Sequence, residues 1–270
     1  MNALTNRRHP AAVILLLLLG LLLTGTAYAA LAPKQATAAS TAAGADQVAY
    51  GKELFVANCA TCHGKNGTGT KSGPSLAGVG AAAVDFQVGT GRMPLMNPGA
   101  QAPRGTDVKF DDEQIAAMAA YVASLSPGPA VPEAKWLDAK AGDPARGGEI
   151  YRVNCAMCHN ARGAGGALTR GKYAPPLIGV EEKHIFEAME TGPQSMPVFN
   201  DKNLSPEDKR DVIAYLKSMD EEGNPGGQAL GSLGPVSEGM FVWILGIGGL
   251  VLFAVWIAAH TTRSTKKVDL

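Results

Sequence analysis

The chain has 270 residues, enough for about two domains. Its 24 basic and 24 acidic residues cancel, which gives no support to a nucleic-acid partner. The 33 glycines and 17 prolines make the chain rich in loops and aromatics are only 6%, yet a hydrophobic content of 46% excludes wholesale disorder.

Arg7 and Arg8 precede an apolar run from Ala11 to Leu23, and no further charge occurs until Lys34. Two readings fit. A secretory signal has this basic start and apolar middle, with Ala27-Tyr28-Ala29 as an A-x-A cleavage site. A retained anchor fits as well, because the 22 uncharged residues 11–32 are long enough to span a bilayer. Both export everything after about residue 33. Without the charges of the two ends, residues 33–239 hold 19 basic and 23 acidic residues, a mildly acidic, solvated surface.

The middle of the chain repeats itself. The stretch from Gly51 to His63, GKELFVANCATCH, matches the stretch from Gly147 to His159, GGEIYRVNCAMCH, at an offset of 96. Three more blocks follow in the same order: 73–79 with 174–180, Thr90–Pro94 with Thr191–Pro197, and Asp112–Leu125 with Pro206–Met219. One domain has been duplicated. Each copy reads as helix, long loop, short helices, loop, helix. Asp46–Ala57 carries an apolar face through Val48, Leu54 and Phe55. Asp111 caps a helix with Ile115, Met118, Tyr121, Val122 and Leu125 at helical spacing, and Ser205-Pro206-Glu207-Asp208 opens its counterpart. Pro127, Pro129, Pro132 and Pro144 predict a stiff linker between the copies, and Gly223–Pro235 a second linker.

Met240–Ala259 is 20 residues without a charge, with Trp243 and Trp256 near its ends. It predicts a transmembrane helix, and Arg263, Lys266 and Lys267 place the tail in the cytoplasm. Gly246, Gly248 and Gly249 would let another helix approach. The predicted division is 1–32 signal peptide or N-terminal anchor, 46–126 first domain, 127–144 Pro-rich linker, 145–220 second domain, 221–239 linker, 240–259 transmembrane helix and 260–270 tail. The fold class is all-α.

All four cysteines lie in two C-x-x-C-H pentapeptides, Cys59–His63 and Cys155–His159. This is the attachment signature of c-type haem. On a helix, cysteines at i and i+3 face one side and can form thioethers with two vinyl groups, and the adjacent His becomes the iron ligand. Zinc would need a second cysteine pair in each copy, and a thioredoxin-like pair would need a βαβ pattern. Neither is present; structural disulfides are the third alternative. Two covalent haem c groups are expected on Cys59, Cys62, Cys155 and Cys158, with His63 and His159 as iron ligands. Met93-Pro94 and Met196-Pro197 occupy equivalent places and supply the sixth ligands, with Met96 a rival to Met93. Met118, Met157, Met189 and Met219 read as packing or surface residues. His184 has no counterpart in the other copy and reads as a surface histidine.

Each copy resembles a class I cytochrome c, and the whole chain resembles the dihaem cytochrome c subunit of the actinobacterial cytochrome bcc complex, a menaquinol–cytochrome c reductase. The matching stretches include 59–63, 73–76, Phe86–Pro94, Gln101–Arg104, Asn154–His159, 171–175, Thr191–Pro197 and 234–240. The resemblance implies an electron-transfer subunit of a quinol-oxidising enzyme, with quinol oxidised on other subunits. Its implied partners are a cytochrome b subunit, a Rieske iron–sulfur protein, an aa3-type oxidase and membrane lipid. It implies that the first haem receives electrons and the second delivers them. It also makes the carbonyls of Pro74 and Pro175 acceptors for the ring N–H of His63 and His159. The implied location is the plasma membrane, with the cytochrome domains outside the cytoplasm. The alternative is a free-standing membrane dihaem shuttle or oxidoreductase.

Overall fold

The computed structural model describes residues 10–31, 44–97, 99–222, 230–232 and 235–265. Arg7, Arg8, Lys34, Lys266, Lys267 and most of the Gly223–Pro235 linker lie outside the described residues. Helix α1 (Pro10–Leu31) is 22 residues long and starts on a proline, whose missing N–H costs nothing at a helix start. Thr24 and Thr26 turn their hydroxyls back onto the carbonyls of Gly20 and Leu22, both at 2.7 Å, which satisfies them inside an apolar helix. It belongs to a unit separate from residues 44–270.

The first cytochrome-like domain is built on α2 (Ala45–Asn58), the one-turn α3 (Ala60–His63), α4 (Gly80–Gly89) and α5 (Asp112–Leu125). Asp111 and Gln114 form a reciprocal capping box at the start of α5. The second domain repeats the plan with α6 (Pro144–Asn154), α7 (Ala156–His159), α8 (Glu182–Thr191) and α9 (Pro206–Glu222). Asp143 caps α6 ahead of Pro144, and Ser205 and Asp208 cap α9 reciprocally. One departure from an all-α fold is a short antiparallel pair, β1 (Gly166–Ala167) with β2 (Tyr173–Ala174), in the loop after the second cysteine motif.

The first and last helices of each domain cross so closely that the crossing point must be glycine. A Cβ on Gly51 would lie 1.9 Å from the backbone oxygen of Ala117, and one on Gly147 would lie 1.8 Å from that of Asp211. Around these crossings the aromatic cores form in register. Phe55 meets Tyr121 at 5.2 Å between ring centroids, and Tyr151 meets Tyr215 at 5.4 Å.

The Pro-rich segment is not a free spacer. The carbonyl of Pro129 accepts from the N–H of Ala82 at 3.1 Å, and Trp136, Leu137 and Ala139 pack on the second core. Its apolar side chains have a surface to bury against, and that burial fixes the path.

The two domains meet through equivalent helices, α4 and α8, as copies of one surface do in a twofold dimer. Two glutamines latch this junction. Gln101 donates to the carbonyl of Tyr173 (2.8 Å) and accepts from its N–H (2.9 Å). Gln194 does the same to Ala102 in the opposite direction, at 2.9 and 3.0 Å.

At the C-terminal end, α10 (Pro235–Val242), a π-helical turn (Trp243–Ile247) and α11 (Gly248–Thr265) run on without a break. Val236–His260, 25 residues, is long and apolar enough to cross a membrane. The helix therefore begins before Met240, inside the stretch expected to be linker, because Pro235 is suited to a first helical turn. Side chains added at Gly248 and Gly249 would touch nothing, so this face is open.

Candidate haem sites

In both domains the C-x-x-C-H motif is a single helical turn. His63 N–H donates to the carbonyl of Cys59 and His159 N–H to that of Cys155, both at 2.9 Å. All four cysteines are unbridged, so the disulfide alternative is absent. Burial, then the neighbouring cysteine, pushes the Cys59 and Cys155 thiols up to about 11 ahead of haem attachment.

Each histidine is oriented by a proline carbonyl. His63 Nδ1 lies 2.8 Å from the oxygen of Pro74, and His159 Nδ1 lies 2.9 Å from that of Pro175. A carbonyl only accepts, so Nδ1 carries the proton and the Nε2 lone pair is left for a metal. His159 is buried, and burial lowers its pKa, which keeps the imidazole neutral, as a ligand must be.

In the second domain a cavity of about 380 Å³ gathers Cys155, Cys158, His159, Pro175 and Met196 in one wall system. It is in the size range of ligand pockets. Thiols, a bare imidazole nitrogen and a thioether around an apolar void fit a covalent haem. In the first domain Cys59 and Met93 pack on one cluster, Val88, Ile115 and Met118. Met96 is 76% exposed and accepts from the Lys109 ammonium, so burial separates it from Met93. Met118, Met189 and Met219 are buried packing residues and Met157 is exposed, as expected.

Two family models match the chain: cytochrome c over residues 48–126, and cytochrome c oxidase, cbb3-type, subunit III over residues 142–216. The cytochrome bc1 complex cytochrome c subunit of Mycobacterium tuberculosis is 46% identical over 252 residues, covering 91% of this chain and 90% of that protein. The chain belongs to the family of cytochrome bc1 complex cytochrome c subunits. The relative of that name in Corynebacterium diphtheriae is 43% identical over 269 residues, covering 94% and 95% of the two chains. A cbb3-type cytochrome c oxidase subunit of Bradyrhizobium diazoefficiens is 28% identical over 187 residues, covering 63% and 60%. This cytochrome c subunit thus carries two covalent haem c groups, with the attachment spacing at Cys59/Cys62 and Cys155/Cys158.

One expectation is corrected. His184 is not a surface residue. It is 7% exposed, its ring meets Phe86 edge-on at 6.1 Å, and burial lowers its pKa. The face of α8 that carries His184 and Glu187 is turned to α4 of the other domain, which no local pattern announces. His184 joins a cluster with Asp85 and Glu187, whose ligand atoms lie within 4.8 Å of one another. Lys183 pairs with Asp85 at 2.8 Å. Glu187 is 0% exposed with both oxygens unpartnered. Burial, then Asp85, pushes its carboxyl up to about 9. With Glu187 protonated and His184 neutral, the Lys183–Asp85 pair leaves the cluster without net charge.

A second group of residues carried no assigned role in the sequence. Phe86, Thr90, Arg92, Gln101 and Arg104 belong to the first domain, yet they line the cavity of the second. Their signal was present in the stretches Phe86–Pro94 and Gln101–Arg104, but only the domain packing gives it a meaning.

Proposed function

We propose that this subunit relays single electrons from a Rieske iron–sulfur protein to an aa3-type terminal oxidase, as the membrane-anchored dihaem component of a menaquinol-oxidising complex. The observation that carries the reading is the similarity to cytochrome bc1 complex cytochrome c subunits over nine-tenths of the chain. Haem c supplies a ferric/ferrous couple.

The chain's own residues set what that couple does. Cys59, Cys62, Cys155 and Cys158 hold the porphyrins through thioethers. His63 and His159, oriented by Pro74 and Pro175, would hold the iron through their Nε2 atoms. Met93 and Met196 would supply its thioether ligands. A histidine–methionine pair raises the potential and closes the iron to substrates, which would suit a carrier rather than an oxygen- or peroxide-activating enzyme. Met93 is preferred to Met96 because it is packed on the Val88–Ile115–Met118 cluster beside Cys59. Quinol oxidation belongs to other subunits, a cytochrome b and the Rieske protein. The Cys59/Cys62 site would be the entry point for electrons and the Cys155/Cys158 site the exit.

The C-terminal helix anchors the chain in the plasma membrane, with both haem domains outside the cytoplasm and Arg263, Lys266 and Lys267 inside. The N-terminal segment exports the chain, whether as a cleaved signal or a retained anchor. The test is affinity purification of the tagged chain in mild detergent, with an optical spectrum of the product. Co-purifying b-type and a-type haem supports the relay. A stable preparation with only c-type haem would support the free-standing shuttle instead.

A further inference from the structure

The two domains share more than a surface. Arg92 belongs to α4's C-terminal loop in the first domain, and it is 9% exposed, with its guanidinium 4.6 Å above the Phe86 ring. Its Nη1 is buried without a hydrogen-bond partner. Arg104 lines the same cavity from its solvent-exposed side. No carboxylate pairs with either arginine among the described residues. Arg92 is thus a buried cation with no carboxylate paired to it, which is costly unless an anion completes the site. Both side chains line the cavity that holds Cys155, Cys158 and His159.

We propose that Arg92 and Arg104 of the first domain form the subsite that receives the carboxylate side chains of the haem bound in the second domain. The reading rests on haem in the second domain and is independent of which partners the subunit serves. Haem brings two carboxylates, and besides the two arginines the cavity offers apolar groups, thiols, amides, hydroxyls and the imidazoles of His159 and His184, neither of them a fixed cation. The planar guanidinium fork matches a carboxylate, and Arg92 is already held flat on Phe86. Gln101, which also lines the cavity, has its amide committed to the backbone of Tyr173 and so holds the Arg104 loop against the second domain.

Two consequences follow. The haem becomes a strut between the domains, so its loading and the domain junction are coupled. The positive charge beside it also disfavours the oxidised iron and raises the second haem's potential from a residue outside its own domain.

The test uses the full-length haem-loaded chain in its complex. Arg104→Gln and Arg92→Gln should each shift one of the two c-type waves of a redox titration to lower potential and leave the other in place. Arg104 lies eleven residues from Met93, so its variant guards against a disturbance of the first haem's ligand loop. Arg92→Lys keeps the charge and should restore part of the shift. A density map of the haem-loaded chain should show a carboxylate oxygen of the second haem within hydrogen-bond distance of Arg92 or Arg104. Unmoved waves in both Gln variants, or second-haem carboxylates outside the reach of both guanidinium groups, would overturn the proposal. So would contact of both arginines with the first haem alone.

Discussion

Glu187 should make the domain junction weaken as the medium becomes alkaline, and Glu187→Gln should remove that weakness. The carboxyl is 0% exposed and is pushed up to about 9, against 4.5 in an unfolded chain. A raised pKa means that the folded state holds the proton more tightly. Its contribution is fully present below about pH 4.5 and is lost as pH rises towards 9. At pH 7 the folded carboxyl is still protonated while the unfolded one is ionised, a gap of about 2.5 pH units. At 1.36 kcal/mol per unit, keeping Glu187 neutral costs the fold about 3 kcal/mol at pH 7. Glutamine has nearly the same shape and no charge at any pH, so the variant should be more stable by up to that amount. For a chain of this size the gain is on the order of 5 to 10 °C in unfolding temperature. The assay is thermal unfolding of the haem-loaded protein in detergent, from pH 5 to pH 9. The gap between variant and parent should widen with pH and close near pH 5. A gap that does not vary with pH, or a variant less stable than the parent at pH 8, would show that Glu187 is ionised and paired, and would refute the reasoning.

Other changes test the fold and the junction. Gly147→Ala places a methyl group 1.8 Å from the Asp211 carbonyl, and Gly51→Ala one 1.9 Å from that of Ala117. Each should cost roughly 1–3 kcal/mol or more and reduce the yield of haem-loaded chain, measured by haem stain against total protein. Lys209 is fully buried, pairing with the partly exposed Glu190 and the exposed Asp201, so Lys209→Ala should cost roughly 1.5–3 kcal/mol in chemical denaturation by removing the charged partner of Glu190. Gln101→Ala with Gln194→Ala removes four inter-domain hydrogen bonds. Protease should then cut the Pro-rich segment 127–144 faster, with both haems still attached. An unchanged cutting rate would mean that the latches do not hold the junction.

The sequence carried what is local or repeated. Helix caps at Asp111 and Ser205 obey short-range hydrogen-bond chemistry, and the structure has them. The two C-x-x-C-H turns were legible for the same reason, since each lies in a recurring block; the proline carbonyls that face their histidines were implied by the family resemblance. Gly51 and Gly147 also recur, but the need for glycine appears only when the partner helix is in place. What failed was long-range. The packing of α4 on α8 buries His184 and Glu187, and nothing in the periodicity of α8 separates a face turned to its own core from one turned to another domain. The Pro-rich segment reads as a stiff linker because proline stiffens a chain, and the prolines say nothing of what it packs on. Its path was set instead by Trp136 and Leu137, which find a core to cover. Arg92 and Arg104 were visible as matching residues, yet their placement at the other domain's cavity is a property of the junction alone.

The relay itself is tested most directly by rapid mixing of the purified quinol-oxidising complex with a reduced menaquinol analogue and then with oxygen, following the c-type absorption band. The account predicts that both c-type haems are reduced within turnover time, that removal of the Rieske cluster blocks this reduction, and that oxygen reoxidises them through an a-type oxidase. Reduction that persists without the Rieske cluster, or c-type haems that stay reduced while the a-type haem turns over, would contradict it.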